Sequence, residues 1–302
     1  MEKNNKIIIG IPAWNEEVNI SSLLTDLLRQ EVKSGVIEKI IVVSDGSSDS
    51  TVTKALSLGS SLIEVVDHKD RRGQGARQNE LLERSDYDCL VLINADMRIV
   101  DADFIEQLCQ PVLMGQADLT SCRLQEGKPK NFFEKVLGFG NEFKRRVFES
   151  YLSGDNWHNC RGGSRAFSSR LGSRFRFGRS VSEDLYSYLY TKFYGYKFKY
   201  VTGISCYYAL PTNLKDHIKQ NKRYYGSSAL FYDEFGYKYV SSTVSWPLTR
   251  MVIVMLKMLI EYPVTGVLYC LLSVYCMVAC RFYSDGASNN WGHVTSSKEI
   301  RL

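Results

Sequence analysis

Apolar positions along the first hundred residues fall into two alternating patterns. Lys6–Ile11 is an unbroken apolar run closed by Pro12, Ile37–Val43 is a β-branched run, Leu62–Val66 is shorter, and Cys89–Ile93 is again continuous. Short apolar runs of this kind, bounded by polar residues, read as strands buried on both faces. Between them the spacing becomes helical. Val18, Ile20, Leu23, Leu24, Leu27 and Leu28 recur along Glu16–Arg29, and Ser48–Leu58 and Gln74–Glu83 fill the other gaps. Ser47 or Ser48 is the expected cap of the second helix. Repeated β-α units predict an α/β fold with a mostly parallel sheet flanked by helices and right-handed crossovers. Ligands then collect at the carboxyl ends of the strands.

The pattern changes again near the C-terminus. Tyr262–Cys280 carries no charge, a fair candidate for a span, which needs roughly 20 apolar residues. Ahead of it, residues 246–261 are apolar but for Arg250 and Lys257 and a terminal Glu261. The two cations are seven apart, so they share a helical face, as in a helix lying in a membrane interface with its cations toward headgroups. The same stretch also suits the first half of a hairpin turned at Glu261-Tyr262-Pro263, and two buried core helices are the alternative. The expected organisation is an α/β domain over 1–240, membrane-associated helices over 241–284 and a polar tail over 285–302.

Composition is that of an ordinary globular protein: 302 residues, 44% apolar and 24% charged. The net charge of +5 is unevenly spread. Between Asn156 and Ser182 there is no acid, yet Arg161, Arg165, Arg170, Arg174, Arg176 and Arg179 all occur. Such a stretch suits phosphate, anionic sugars or lipid headgroups, with a solvated basic loop as the alternative. The eight cysteines include no CxxC pair, which argues against a zinc site and suits a reducing, cytoplasmic compartment. MEKNNKIIIG turns strand-like too soon for a signal peptide.

The chemistry lies in the loops after the strands. Pro12-Ala13-Trp14-Asn15-Glu16-Glu17 follows the first, Ser44-Asp45-Gly46-Ser47-Ser48-Asp49 the second, and Asn94-Ala95-Asp96 the fourth. Three polar loops at one sheet edge make a site on topology alone. No GxGxxG follows the first strand and no GxxxxGK[ST] occurs, which argues against a dinucleotide-binding redox domain and a P-loop.

In these loops the chain resembles the family 2 glycosyltransferases, which have the GT-A nucleotide-sugar fold. IPAWNEE is similar to the family's first-strand motif, SDGSSDST to its Asp-Gly-Ser-x-Asp loop, and GQGARQNELL to the segment ahead of the metal motif. Asn94-Ala95-Asp96 stands where the family has Asp-x-Asp, GGSRAF resembles the acceptor loop, and SEDL matches the Glu-Asp motif of the catalytic base. LPTNLKDHIKQNKRYYG is similar to the stretch ending in Gln-x-x-Arg-Trp, here Gln220, Arg223 and Tyr224. The seven motifs run in order from about Ile7 to Gly226, most of the chain.

The resemblance implies roles. The departing diphosphate needs positive charge, so Asp96 is the expected ligand of a divalent cation, Mg²⁺ or Mn²⁺. Asn94 departs from the family pattern: it keeps an oxygen, loses a charge, and would hydrogen-bond the donor ribose or a metal-bound water. Pro12, Ala13, Trp14, Glu16, Asp45, Gly73, Gln74, Asn94, Ala95 and Arg223 are the expected nucleotide-sugar contacts, Arg223 facing the diphosphate. Arg72 flanks the same glycine. Asp49 either joins them or caps the following helix. Glu183-Asp184 holds the expected general base, Asp184 rather than Glu183; a helix N-terminal acidic pair is the structural alternative. Gly162, Gly163, Ser164, Gln220 and Tyr224 form the expected acceptor side, Tyr224 being a smaller platform than the usual Trp. His158 and His217 are weaker metal-ligand candidates. The expected function is inverting transfer from a nucleotide-sugar, UDP favoured over GDP, to a lipid-linked or saccharide acceptor, with membrane lipid and no nucleic acid as partners, the catalytic domain facing the cytoplasm. A nucleotidyltransferase and a catalytically silent membrane-anchored binding module are the competing readings; the acidic PAWNEE loop opposes the first.

Overall fold

The structure, a computed structural model, describes residues 4–84, 86–178, 182–222, 228–282 and 299–302. In chain order the elements are β1 (Lys6–Ala13), α1 (Ile20–Leu28), β2 (Val36–Asp45), α2 (Thr51–Leu56), β3 (Ile63–His68), α3 (Gln74–Leu82), β4 (Cys89–Ile93), β5 (Arg98–Ile99) and α4 (Phe104–Leu113). There follow β6 (Leu119–Glu126), α5 (Phe132–Phe148), β7 (Ser164–Ser168), α6 (Ser169–Gly172), α7 (Glu183–Phe193), β8 (Phe198–Tyr208) and α8 (Leu214–Lys222). The C-terminal part contributes α9 (Ser228–Phe235), α10 (Tyr237–Thr243), α11 (Leu248–Glu261) and α12 (Pro263–Phe282).

Strand periodicity explains the two layers that cover the sheet. Ile7, Ile9, Ile11, Val42, Val91 and Ile93 enter one apolar layer, where α1, α2 and α4 pack. Their neighbours Ile8, Ile41, Val43, Leu90 and Leu92 enter the other, with α3, α6, α7, α9 and α10. Alternate side chains of a strand face opposite sides, so a run apolar at every position is what a sheet buried on both faces requires. Each such side chain contributes about 1.5–3 kcal/mol by leaving water.

The sheet runs β3-β2-β1-β4-β7-β6-β8-β5. β3, β2, β1 and β4 are parallel, as the sequence predicts. Beyond β4 the sheet is mixed: β7 is antiparallel to β4 and β6, β6 is parallel to β8, and β5 is antiparallel to β8. The reversal matters for the site. Ile93 at the end of β4 pairs with Ser164 at the start of β7, so the Gly162-Gly163 turn arrives beside Asn94-Ala95-Asp96.

α11 and α12 pack against α5, where Phe139, Phe143, Val147, Phe148 and Met258 form a third apolar cluster. The hairpin expectation holds, with Tyr262 between the two helices. Among the described residues the stretch long and apolar enough to cross a membrane by composition is Tyr237–Glu261, while α12, which holds the expected span, is one helix of 20 residues rising ~30 Å. The longer stretch is broken between α10 and α11, just before Pro247 at the start of α11, and α11 alone rises ~21 Å, short of a ~30 Å hydrocarbon core. Arg250 does not face outward with Lys257. It turns to the end of α5, donating to the Arg146 carbonyl at 3.1 Å and Ser150 Oγ at 2.5 Å. The carbonyl end of a helix attracts a cation, which accounts for the departure.

Candidate functional site

The first two loops are stitched together by their polar residues. Asn15 adopts a left-handed backbone (φ 52°), its N–H donates to Ser47 Oγ at 3.1 Å, and its Oδ1 accepts from the Ser48 N–H at 2.8 Å. The Glu16 N–H donates to Thr51 Oγ1 at 2.8 Å, and Glu16 Oε2 accepts from Asn19 at 3.0 Å. Asp49 accepts the N–H of Glu17 at 3.1 Å and of Thr51 at 3.0 Å. It therefore acts as a helix-end acceptor, and neither Ser47 nor Ser48 is the cap, since helix α2 begins later than the serine pattern suggests.

Asp45, at the end of β2, is buried and saturated. Its carboxylate accepts from the Arg72 and Gly73 N–H groups, both at 2.8 Å, and from Arg77 Nε at 2.7 Å. The Asp45–Arg77 pair is buried on both sides. Asp45 thus holds the Arg72-Gly73 loop in place. In the same region the Arg71 guanidinium lies 3.4 Å from the centre of the Trp14 ring, a cation–π stack. Pro12, Ala13 and Ala95 are buried, the two alanines as part of the core, so their side chains support the loops rather than line a surface.

The remaining residues close a ring. Gln74 Nε2 donates to Asn94 Oδ1 at 2.7 Å, so the amide that replaces the usual acid is occupied by α3. The Asn94 N–H donates to the Gly163 carbonyl at 3.1 Å. Gly162 lies so close to Asp184 that a Cβ there would stand 2.1 Å from its Oδ1. Glu183, beside Asp184, reaches back toward α3, its Oε1 3.6 Å from where a Cβ on Gly75 would be. Asp96 follows Asn94, half-buried, between Ala95 and Met97 of the core. The strand after it is pinned by Arg98, which holds Asp26 at 2.6 and 3.1 Å.

Arg165 supports this ring from beneath. It is fully buried on β7, and its Nη1 donates to the Glu183 carbonyl at 3.1 Å and to Ser187 Oγ at 2.6 Å, clamping the first turn of α7. Burial pushes the Glu183 carboxyl up to about 7, with the Asp184 charge adding to the rise and Arg165 opposing it.

The basic stretch does not form one patch. Arg165 is interior, Arg170 pairs with Asp118 at 2.6 Å, and Arg176 donates to the Gly172 and Phe175 carbonyls at 2.8 and 2.6 Å. Only Arg174 of the described set is plainly exposed without such a bond, and Arg179 lies outside the described residues. A charge pattern read along the chain cannot show that these side chains diverge in space.

Ser164 is buried at the start of β7. Gln220 sits on α8, which packs against α12, and no described contact joins it to the ring. Arg223 and Tyr224 lie outside the described residues. His158 stacks on Phe148 at 4.2 Å, and burial, reinforced by Arg161 and Lys144, holds it well below the usual imidazole range. Burial similarly lowers His217 to about 4. Sequence reasoning gave no role to Arg77 or Lys144 and counted Arg165 within a ligand-facing basic stretch, whereas it is fully buried; a polar side chain's burial depends on partners distant in the chain, and no local signal marks it.

Comparison with known proteins follows this geometry. The profile of "Glycosyl transferase family 2" matches residues 8–172. The 4,4'-diaponeurosporenoate glycosyltransferase of Staphylococcus aureus strain USA300 is 33% identical over 123 residues, 39% of this chain and 32% of that protein. The chain thus spans about a third of the length of the curated relatives it matches. Among solved structures, a mannosyltransferase of Pyrobaculum calidifontis in complex with GDP-Man and Mn²⁺ is similar with TM-score 0.57 and 14% identity, covering 94% of this chain and 77% of that one. Glucosyl-3-phosphoglycerate synthase of Mycobacterium tuberculosis, with Mn²⁺, UDP and glucosyl-3-phosphoglycerate, gives 0.55 and 19%, covering 77% and 80%. Staphylococcus aureus TarS 1–349 with UDP gives 0.54 and 12%, covering 81% and 73%. At these identities the structural likeness establishes the GT-A fold, and the profile, covering more than half of the chain, establishes the family: the chain belongs to glycosyl transferase family 2.

Proposed function

We propose that this glycosyltransferase is an inverting, metal-dependent enzyme that moves a sugar from a UDP-sugar to a lipid-linked or saccharide acceptor at the cytoplasmic face of a membrane, in polysaccharide, glycolipid or cell-envelope glycan synthesis. A hexosyl donor is the expected type. The observation that supports the reading is the ring Gln74–Asn94–Gly163/Gly162–Asp184, in which Asp184, the Gly162-Gly163 turn and the strand end ahead of Asp96 are neighbours.

Asp184 takes the proton from the attacking acceptor hydroxyl. Glu183 is unsuited to that task below neutral pH, because it keeps its own proton up to about 7. Asp96 is the residue that would hold a divalent cation. A single half-buried carboxylate beside an amide occupied by Gln74 fits Mg²⁺ or Mn²⁺, which take remaining ligands from phosphate and water. When bound, the ion supplies positive charge to the diphosphate as it leaves. Trp14, stacked on one face by Arg71, is assigned to the nucleoside by motif, and Asp45 acts through the Arg72-Gly73 loop. Arg223 is assigned to the diphosphate and Tyr224 and Gln220 to the acceptor by motif alone. UDP in two of the three structural neighbours and GDP-mannose in the third support a nucleotide-sugar donor, with UDP preferred.

The test is a donor panel on membranes containing this chain, reading nucleoside diphosphate release with and without EDTA. Release from a UDP-sugar that EDTA abolishes is the expected result. Asp184→Asn should reduce turnover by about 10²–10⁴-fold with UDP affinity retained. Binding of UDP without any release from any donor would make the chain a silent binding module.

A further inference from the structure

A second recess adjoins the ring and is used by none of the donor loops. It lies between α5, the turn around His158 and the β6–β8 edge, and its charged lining is Arg123, Lys144, Arg145, Glu149, His158 and Arg161. The acids there are already engaged. Glu149 takes Arg123 through two bonds of 2.7 Å, and Arg145 holds Glu126 at 2.5 and 2.8 Å. Lys144 and Arg161 are left with no carboxylate partner among the described residues. Burial, with Arg161 adding to it, disfavours the Lys144 charge and lowers its ammonium to about 8, and burial likewise holds the neighbouring imidazole of His158 well below its usual range. Two like charges half-withdrawn from water are costly unless an anion joins them.

Size and position say which anion. The recess is about 20 Å³, near the space of one water, so it admits the oxygen edge of an acid and not a sugar ring. Arg161 immediately precedes Gly162, against which the Asp184 carboxylate lies, so the recess borders the acceptor side. Along α5, Phe143 precedes Lys144 and points ~100° away from it. Phe143 joins Leu248, Met251, Val252, Met255 and Leu256 to line an apolar groove of about 330 Å³. One helix therefore presents cations on one side and a hydrocarbon-sized groove on the other.

We propose that Lys144 and Arg161 hold the oxyanion of an amphipathic acceptor, a carboxylate or phosphate carried on an apolar chain, while that chain lies in the groove along α11. This rests on the assignment of Asp184 to the acceptor side. It narrows the acceptor to an anionic lipid and assigns its recognition to side chains outside the family motifs.

The probe is short-chain dihexanoyl phosphatidate, titrated against the full chain in nonionic detergent beside dihexanoyl phosphatidylcholine and inorganic phosphate. Trp157, next to His158 and 5.1 Å from Trp246, supplies the fluorescence signal. Phosphatidate should bind about tenfold or more tighter than either of the others. Lys144→Gln should abolish that preference and Lys144→Arg should keep most of it; Arg161→Gln is the second test should Lys144→Gln not fold, which near-ultraviolet circular dichroism reports. Equal affinity for phosphatidylcholine would overturn the anion site, and equal affinity for free phosphate would overturn the lipid source. A Lys144→Gln chain that retains the preference would overturn the residue assignment. UDP titration with Mn²⁺ on the same wild-type sample separates the two ideas: phosphatidate binding without UDP binding would leave the recess standing and remove the donor reading.

Discussion

Gly162 decides how close its turn comes to Asp184. A methyl group there would stand 2.1 Å from Oδ1, so Gly162→Ala must push the carboxylate or the turn aside. Misplacement of a reacting group by ~1 Å costs on the order of 10²-fold in rate. Gly162→Ala should therefore reduce turnover by about that factor with UDP affinity unchanged in calorimetric titration; unchanged turnover would mean that Asp184 has no fixed place in catalysis. The buried Asp45–Arg77 pair makes a different prediction. Removing one partner strands the other's charge, so Asp45→Ala or Arg77→Met should each lower stability by ~3–5 kcal/mol in urea unfolding. The double change should cost less than the sum of the two. Asp45 was legible in the sequence because a carboxylate after a strand is conspicuous. Arg77 was not: it sits mid-helix in GQGARQNELL, and only the folded chain shows that its guanidinium reaches a strand end 32 positions earlier.

Among the elements, the central strands were legible nearly to the residue, because a sheet buried on both faces leaves an apolar run that nothing else explains. Cys89–Ile93 is read identically in sequence and structure. Helix starts were less legible: α2 begins at Thr51 because Asp49 and the Glu17 side chain take up the N–H groups ahead of it, a partnership between two loops. The antiparallel insertion of β7 was not legible at all, since strand direction is set by long-range pairing and not by pattern. That insertion makes α7 a support of the site, with Glu183 in its first turn. A carboxyl raised from its ordinary 4.5 to about 7 binds a proton in the folded chain that the unfolded chain has already lost between those values. Stability should thus be greatest below about pH 4.5 as far as this group is concerned, fall as pH rises through 7, and level off above. Glu183→Gln removes this contribution, so the midpoint of thermal unfolding should decline less between pH 5 and pH 7.5 in the variant than in the wild type. Parallel declines in the two would show that Glu183 titrates as it does in solvent.

At the scale of the whole molecule, the catalytic layers and the α11–α12 pair share one face, the α5 cluster, and the far side of the pair is bare. Leu248, Val252, Leu256 and Ile260 recur at every fourth position of α11, and all are exposed, Ile260 by 83%. Val264, Val267, Leu271, Val274 and Val278 continue the exposed apolar surface on α12. A soluble monomer rarely leaves so long a contiguous stripe in water. α11 is too short to cross a bilayer by itself, whereas α12, with 20 residues, matches the ~30 Å of a hydrocarbon core; the exposed stripe running over both suits a helix pair with its apolar side toward the acyl chains and α5 on the water side. This orientation would bring the groove beside Phe143 and the Asp184 turn to the level at which a lipid-borne hydroxyl is presented. Val252→Glu with Leu256→Glu places two charges on the stripe without touching Met258 in the α5 cluster, so far-ultraviolet circular dichroism should be unchanged. Co-sedimentation with anionic vesicles should weaken by at least about tenfold, each apolar side chain withdrawn from lipid being worth ~1.5–3 kcal/mol. High salt should weaken the wild type only in part, because the apolar contribution is not screened. Full retention of the double variant on vesicles would place the membrane contact elsewhere, and with it the route by which the acceptor reaches Asp184.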